Sequence, residues 1–307
     1  RTYDYTLVHD LNQFLEGIKP SDAVDEATKT AYIGEVRYIR AWLYFCMGRT
    51  LGGVPIINDE IFNYTPGMDI TTLQVPRSTE ADLYDYVISE CQEAAKMLTK
   101  DTNKKSARAN YWARAALTAA SLATYNTAEA HPQLRTNGGE VGIPPSKAQE
   151  YYKTALAAAK DVIENGPYKL MLASEQTHKA YADNFYKAVC QKDGNTEVIW
   201  CRDYVSPGQT HQFTKGNLPK SIEQDTGSDR LSVLLNLVEA FEPLDATEEQ
   251  KGTSVPFEIG TPENPEFFTE PTELFMERDP RLMGSIIVPG ATFDSKVIEL
   301  QAGQLRK

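Results

Sequence analysis

The sequence predicts a mainly α fold: tetratricopeptide-like helical hairpins, followed by a loop-rich region carrying a few short strands. Three observations predict it. Apolar residues in the first half recur at three- and four-residue steps, as on one face of a helix. Alanine gathers where helices would meet, which lets their axes approach closely. After about Leu172 the pattern is broken by Pro, Gly, Asn and Asp. The 307 residues read as a single domain, with a helical scaffold over about 20–172 and a loop-rich, partly β portion over about 173–307.

The first helix is expected from Ala23 to Leu51, a stretch without proline. Tyr32, Val36, Ile39, Leu43 and Met47 mark its buried face, and Ala41 to Phe45 is apolar all round. Gly52-Gly53 ends it, with Pro55 beyond. A second helix starts at Ser78 or Thr79, with Glu80 and Asp82 favourable to its dipole. Its apolar side is Leu83, Tyr84, Val87, Ile88, Cys91, Ala95 and Leu98. Ser106 to Tyr125 is a third helix and Ser146 to Asn165 a fourth, both rich in Ala. Small residues between antiparallel pairs give the stacked-hairpin reading. The loops 58–77 and 126–145 are long, and long connections in a compact domain are often functional.

Beyond Leu172, a short helix is expected around Tyr181, Phe185 and Tyr186. Asp193-Gly194 signals a tight turn, with Thr196 to Cys201 as a strand after it. Leu231 to Phe241 reads as another helix and Ile286 to Val288 as a short strand. Tyr204 to Asp229 is a polar loop, and Pro256 to Pro271 holds four prolines without periodicity.

Charge and composition exclude several classes. With 31 Lys+Arg against 43 Asp+Glu the net charge is −12, and no basic run exists to draw phosphate backbones, so nucleic acid is not an expected partner. The longest apolar stretch, Ala41 to Met47, is far short of the ~20 residues of a membrane span. The chain opens on Arg1 with no basic, apolar, cleavable leader, and is expected to be a mature or trimmed product. Four cysteines make no disulfide scaffold. Cys46 and Cys91 fall on apolar helix faces as core residues, while Cys190 and Cys201 flank a turn and would meet if it formed a hairpin.

Catalytic signatures are absent: no phosphate-binding glycine loop, no His-Glu-x-x-His, no Gly-x-Ser-x-Gly. His9, His131, His178 and His211 stand singly, none at metal-ligand spacing. Glu239, Glu242 and Asp245, and the pair Glu277 and Asp279 around Arg278, read as solvated helix ends and turns. Asp193-x-Asn195-x-Glu197 is a fragment of a calcium loop and reads as a hairpin turn. No catalytic residue, metal ligand or cofactor is therefore assigned. Trp42, Trp112 and Trp200 lie in regular elements as core residues.

Aromatic residues in loops are different. Tyr64, Tyr204 and Phe213 fall in polar segments where no hydrophobic period demands them. A ring exposed in a loop suits stacking on the apolar face of a sugar, with neighbouring polar groups such as His211 bonding its hydroxyls. The other reading is that each ring only anchors its loop. Tyr64, Tyr204, His211 and Phe213 are the candidate ligand-binding residues.

An ordered series of segments resembles the SusD/RagB family. Glu35-Val36-Arg37-Tyr38-Ile39-Arg40-Ala41-Trp42-Leu43-Tyr44-Phe45, then Leu51-Gly52-Gly53-Val54-Pro55, is similar to its signature helix and exit turn. Arg108-Ala109 leading into Ala113 to Tyr125 resembles its next Ala-rich helix. Tyr151 to Ile163 with Gly166-Pro167-Tyr168-Lys169-Leu170 resembles the segment after it. Thr196 to Trp200, Leu237 to Glu242 and Asp279-Pro280-Arg281-Leu282 match later landmarks.

The resemblance implies a surface-exposed outer-membrane lipoprotein of Bacteroidota-type bacteria, held to the membrane by its lipid anchor alone. It implies non-catalytic oligosaccharide binding, or peptide binding as in some relatives, and delivery to a TonB-dependent, SusC-like transporter. A glycoside hydrolase acting on similar glycans is the alternative from another class. The family's landmarks are structural and transfer no binding residue. The anchor-bearing Cys and the family's C-terminal helical portion are missing here, so the chain is expected to be incomplete at both ends.

Overall fold

A computed structural model describes residues 3–98, 132–199, 204–218, 232–293 and 295–300. The chain divides into two compact units, Arg1–Tyr168 and Lys169–Lys307. In the first unit the described helices are α1 (Tyr5–Ile18), α2 (Glu26–Leu51), α3 (Glu80–Met97) and α4 (Ala148–Asn165). The expected helix over 106–125 lies outside the described residues. The mainly α class predicted from periodicity stands.

Helix starts follow their capping residues. Asp25 accepts the Thr28 N–H at 2.9 Å, which moves the start of α2 from Ala23 to Glu26. Thr79 accepts the Asp82 N–H at 3.0 Å and opens α3 where expected. α1 is absent from the sequence reading, although Asp4 caps it and Val8, Leu11 and Leu15 form a buried stripe.

α2 and α3 form an antiparallel hairpin. Gly34, early in α2, meets Met97 and Leu98 at the far end of α3, whereas Gly48 meets Leu83 and Tyr84 at its beginning. At both crossings there is no room for a side chain. A Cβ at Gly34 would lie 2.8 Å from the Met97 Cβ, and one at Gly48 would lie 2.9 Å from a Leu83 methyl. Gly34→Val is therefore expected to lower stability by about 1–3 kcal/mol, the usual range for overpacking. A urea midpoint equal to that of the native chain would contradict this close approach.

The burial of α2 corrects part of the expected face. Val36 and Met47 are buried, but Tyr32 and Ile39 are exposed, and Tyr38, Ala41, Tyr44 and Phe45 take their place. The reason is that α2 packs on two sides. Val36 meets Leu11 and Leu15 of α1, while Tyr38, Tyr44 and Met47 join Leu83, Tyr84 and Val87 of α3 in the main core. The expected face of α3 is buried as read, apart from Ile88, which is partly exposed. Trp42 and Cys46 pack against this core and Cys91 lies within it; Trp112 and Trp200 lie outside the described residues.

At the centre of the first unit is a buried arginine. Arg40 is 1% exposed; its Nη1 donates to Asn12 Oδ1 at 2.8 Å, Asn58 O at 3.0 Å and Asp59 Oδ1 at 2.9 Å. Its Nη2 donates to Glu90 Oε2 at 2.8 Å, and Arg37 holds the other Glu90 oxygen at 2.9 Å. Asn12 donates in turn to Asn58 O and Glu60 O. A charge taken from water is tolerated only with such pairing. Residues read as a helix signature thus tie α1, α2, α3 and the start of the 58–77 loop together.

The second unit contains α5 (His178–Cys190), α6 (Phe213–Asn217), α7 (Leu235–Glu239), α8 (Glu273–Met276) and α9 (Arg281–Ser285). Two two-residue strands, β1 (Thr292–Phe293) and β2 (Lys296–Val297), pair antiparallel with Thr292 opposite Val297 and Phe293 opposite Lys296. Val238, Leu282 and Val288 form its core with Phe241, Phe257, Phe275 and Ile286 around them. The helix expected over 231–241 shrinks to α7.

Both predicted strands are corrected. Ile286 to Val288 is extended but joins no ladder, because Val288 serves the core instead. Residues 196–199 are not a strand either, and 200–201 lie outside the described residues. Thr196 bonds Lys169 through its backbone carbonyl and its hydroxyl, and the Glu197 carboxylate accepts the Met171 N–H at 2.8 Å. Side chains replace the backbone groups that would extend a ladder.

The turn at 193–197 is a helix stop rather than a hairpin. Asn195 Nδ2 donates to the α5 carbonyl of Ala188 at 2.8 Å, and its Oδ1 accepts the N–H groups of Glu197 and Val198. Cys190 is exposed and free, so it makes no hairpin disulfide.

Candidate ligand-binding site

The loop beginning at Tyr204 is closed by a small antiparallel bridge. Val205 and Gln209 exchange both backbone bonds at 2.8 Å, across a cis Ser206–Pro207 peptide. This turn returns the chain so that His211 comes beside Tyr204, with Phe213 beside His211. Tyr204 meets the His211 imidazole edge to face, centroids 4.6 Å apart at 82°, and His211 meets Phe213 at 6.5 Å and 77°.

α6 explains why these rings remain at the surface. Its buried contacts come from Gly216 and from Leu218, which follows it, leaving Phe213 67% exposed. The Leu218 N–H closes the turn on Thr214 O at 3.1 Å. Most of this ring is therefore open to solvent rather than packed on the body of the unit. Tyr204 is half-buried, and the Lys192 ammonium donates to its backbone carbonyl. The Phe213 N–H donates to His211 Nδ1 at 3.1 Å.

Of the four residues read from the sequence, Tyr204, His211 and Phe213 form one cluster in the second unit. Tyr64 belongs to the first unit, where it is 62% exposed in the loop between α2 and α3. Two exposed side chains escape the sequence reading. Val205 is 63% exposed next to Tyr204, and Phe267 is 86% exposed beside the Gly260–Pro265 bridge. Phe267 meets the same criterion as Tyr204, a ring in a polar loop, but lies in the proline-rich stretch read only as irregular.

Two of the carboxylates read as helix ends and turns have structural partners. Glu242 accepts the Gly252 N–H at 2.6 Å, and Asp279 binds the Arg281 guanidinium through both oxygens. Burial pushes the Glu80 carboxyl up, against the Gly142 N–H that it accepts and that pulls it down. That bond holds 135–142 to the start of α3. His178 bonds the Arg278 carbonyl at 2.9 Å. Among the described residues no three His, Cys, Asp or Glu side chains gather as a metal site would require. No helix among them is long and apolar enough to cross a membrane.

Residues 2–122 match the sequence model of SusD-like proteins described as "Starch-binding associating with outer membrane". No curated protein matches the chain. Among solved structures, a SusD-like protein from Bacteroides fragilis NCTC 9343 is 22% identical, with a TM-score of 0.64 over 94% of this chain and 48% of its own. A SusD-like carbohydrate-binding protein from the same organism is 21% identical, with a TM-score of 0.63 over 95% of this chain and 47% of its own. The chain therefore spans about half the length of either structure. Over residues 2–122 the chain thus resembles SusD-like proteins in sequence, and it shares its fold with these two structures.

Proposed function

We propose that this chain binds an oligosaccharide at the Tyr204–His211–Phe213 cluster without hydrolysing it. We propose further that the protein it belongs to is a surface-exposed outer-membrane lipoprotein delivering that cargo to a TonB-dependent, SusC-like transporter. The observation that carries the binding reading is the cluster itself: three rings held together by a closed turn, with Phe213 left in water. Apolar ring faces beside hydrogen-bonding groups suit the amphipathic surface of a sugar. The family's description as starch-binding and outer-membrane-associated supports the class of ligand and the location. So does the carbohydrate-binding description of one structural relative. Modest contacts suit a carrier, because delivery requires release as well as capture.

Calorimetry against maltoheptaose and a panel of other linear oligosaccharides tests it. Tyr204→Ala and Phe213→Ala are each expected to weaken binding about tenfold, the loss of roughly 1.4 kcal/mol of stacking. Tyr64→Ala measured alongside shows whether the first unit contributes a ring of its own. Affinities unchanged in the Tyr204 and Phe213 variants would remove the cluster as the site. New reducing ends appearing on the bound glycan would replace the binding reading with hydrolysis.

A further inference from the structure

The two ring nitrogens of His211 are in different circumstances. Nδ1 accepts the backbone N–H of Phe213 at 3.1 Å. A nitrogen that accepts carries no proton, so in the neutral imidazole the proton is on Nε2. Among the described residues no hydrogen-bond partner of Nε2 is found. His211 is exposed, but its ring rests against two others. Tyr204 meets it edge to face at 4.6 Å and Phe213 at 6.5 Å, while the Phe213 amide engages its Nδ1 edge.

We propose that the Phe213 amide holds His211 as its Nε2–H tautomer, and that this N–H is the directional donor of the site, given to an oxygen of a bound sugar. This rests on the sugar-binding reading of the cluster and deepens it. The aromatic faces supply area without direction, so they distinguish poorly between sugars. A donor whose orientation is set before the ligand arrives avoids the entropy of ordering it afterwards. It selects a ligand with a hydroxyl or ring oxygen at the rim of its apolar face. His211 is then a specificity-determining residue, and Phe213 contributes twice, once through its ring and once through its backbone.

The tautomer is tested without ligand. Long-range 1H–15N spectra of the full chain at pH 8 show the His211 ring nitrogens, assigned by their loss in His211→Asn. The expected pattern is an unprotonated Nδ1 and a protonated Nε2; averaged values for the two nitrogens, or the reverse pattern, overturn the proposal.

The donor role is tested with the glycan from the panel that binds the native chain most tightly, maltoheptaose being tried first. His211→Phe keeps a ring between Tyr204 and Phe213 but has no N–H, and is expected to bind about fivefold more weakly, the loss of one hydrogen bond. Equal affinity of His211→Phe and native chains overturns the donor role while leaving the stacking site in place. Binding unaffected by Tyr204→Ala and Phe213→Ala, or no binding to any glycan of the panel, overturns the site and the donor role together.

Discussion

Arg40→Ala is expected to cost the first unit about 3 kcal/mol, the low end for removing one partner of a buried ion pair. Arg40 is 1% exposed and the Glu90 side chain 6%, so neither charge has water to fall back on. Alanine would leave one Glu90 oxygen and Asn12 Oδ1 without their donor, and the Asn58 carbonyl with Asn12 alone. Arg37 still holds the other Glu90 oxygen, which places the figure at the low end. The measurement is the urea midpoint, with Arg40→Met alongside to separate lost packing from lost pairing. A loss below about 1 kcal/mol in both variants would contradict the network's role.

Acid should weaken the same network. Burial pushes the Asp59 carboxyl up, but its bonds to Lys19 and Arg40 outweigh that and hold it below the ordinary carboxylate value. A depressed folded-state value contributes stability that is fully present above the unfolded value. It is lost as pH falls through the folded one. The native chain should therefore lose stability on acidification below the ordinary carboxylate range, and Asp59→Asn should lose less over that interval.

Arg278 gives the second large effect, by a different route. It is 4% exposed, and its guanidinium donates to three backbone carbonyls: Glu239 at 3.2 Å, Phe241 at 2.8 Å and Val255 at 2.6 Å. It also lies over the Phe257 ring at 4.0 Å. Desolvation pulls its pKa below the ordinary arginine value, against the nearby Glu239, which raises it. Arg278→Ala is expected to cost about 3 kcal/mol: Glu239 O keeps the Val255 N–H, but the part-buried Phe241 and Val255 carbonyls lose their donor at roughly 1–3 kcal/mol each, and the stacking on Phe257 is lost as well. Arg278→Lys should recover only part, since one ammonium cannot spread over three carbonyls and stack on a ring. Thermal midpoints of the two variants check this. A lysine variant as stable as the native chain would show that charge alone matters there.

The two arginines also show how far the sequence can be read. The starts of α2 and α3 are legible because Asp25 and Thr79 are capping residues placed before an apolar period. A charged side chain on a helix ordinarily marks the wet face, however, and nothing local distinguishes Arg40 from Arg37 or Arg49. Its burial depends on Asn12 and Glu90, both far away in sequence. Tyr32 and Ile39 were assigned inward for a related reason: a single stripe assumes one packing partner, and α2 has two.

At the candidate site the sequence offers loop aromatics as candidates but not their arrangement. Tyr204, His211 and Phe213 lie within ten positions, so a turn is enough to gather them. The bridge at Val205 and Gln209, and the backbone bond that orients His211, are geometry that composition does not encode. Phe267 is not legible in the sequence, because the prolines around it hide the short Gly260–Pro265 bridge.

The partners of Arg40 lie 28, 19 and 50 residues away along the chain. No local folding event can complete such a network. A 14-residue helix such as α1 is marginal by itself, and its Asn12 can give up water only once Arg40 is in place to donate to it. Enclosure waits in turn for Glu90, so the entropy of closing the longest loop falls due late and in one step. Helices α1, α2 and α3 are therefore expected to unfold as one cooperative unit, with native-state hydrogen exchange of α1 no slower than that of α2 and α3.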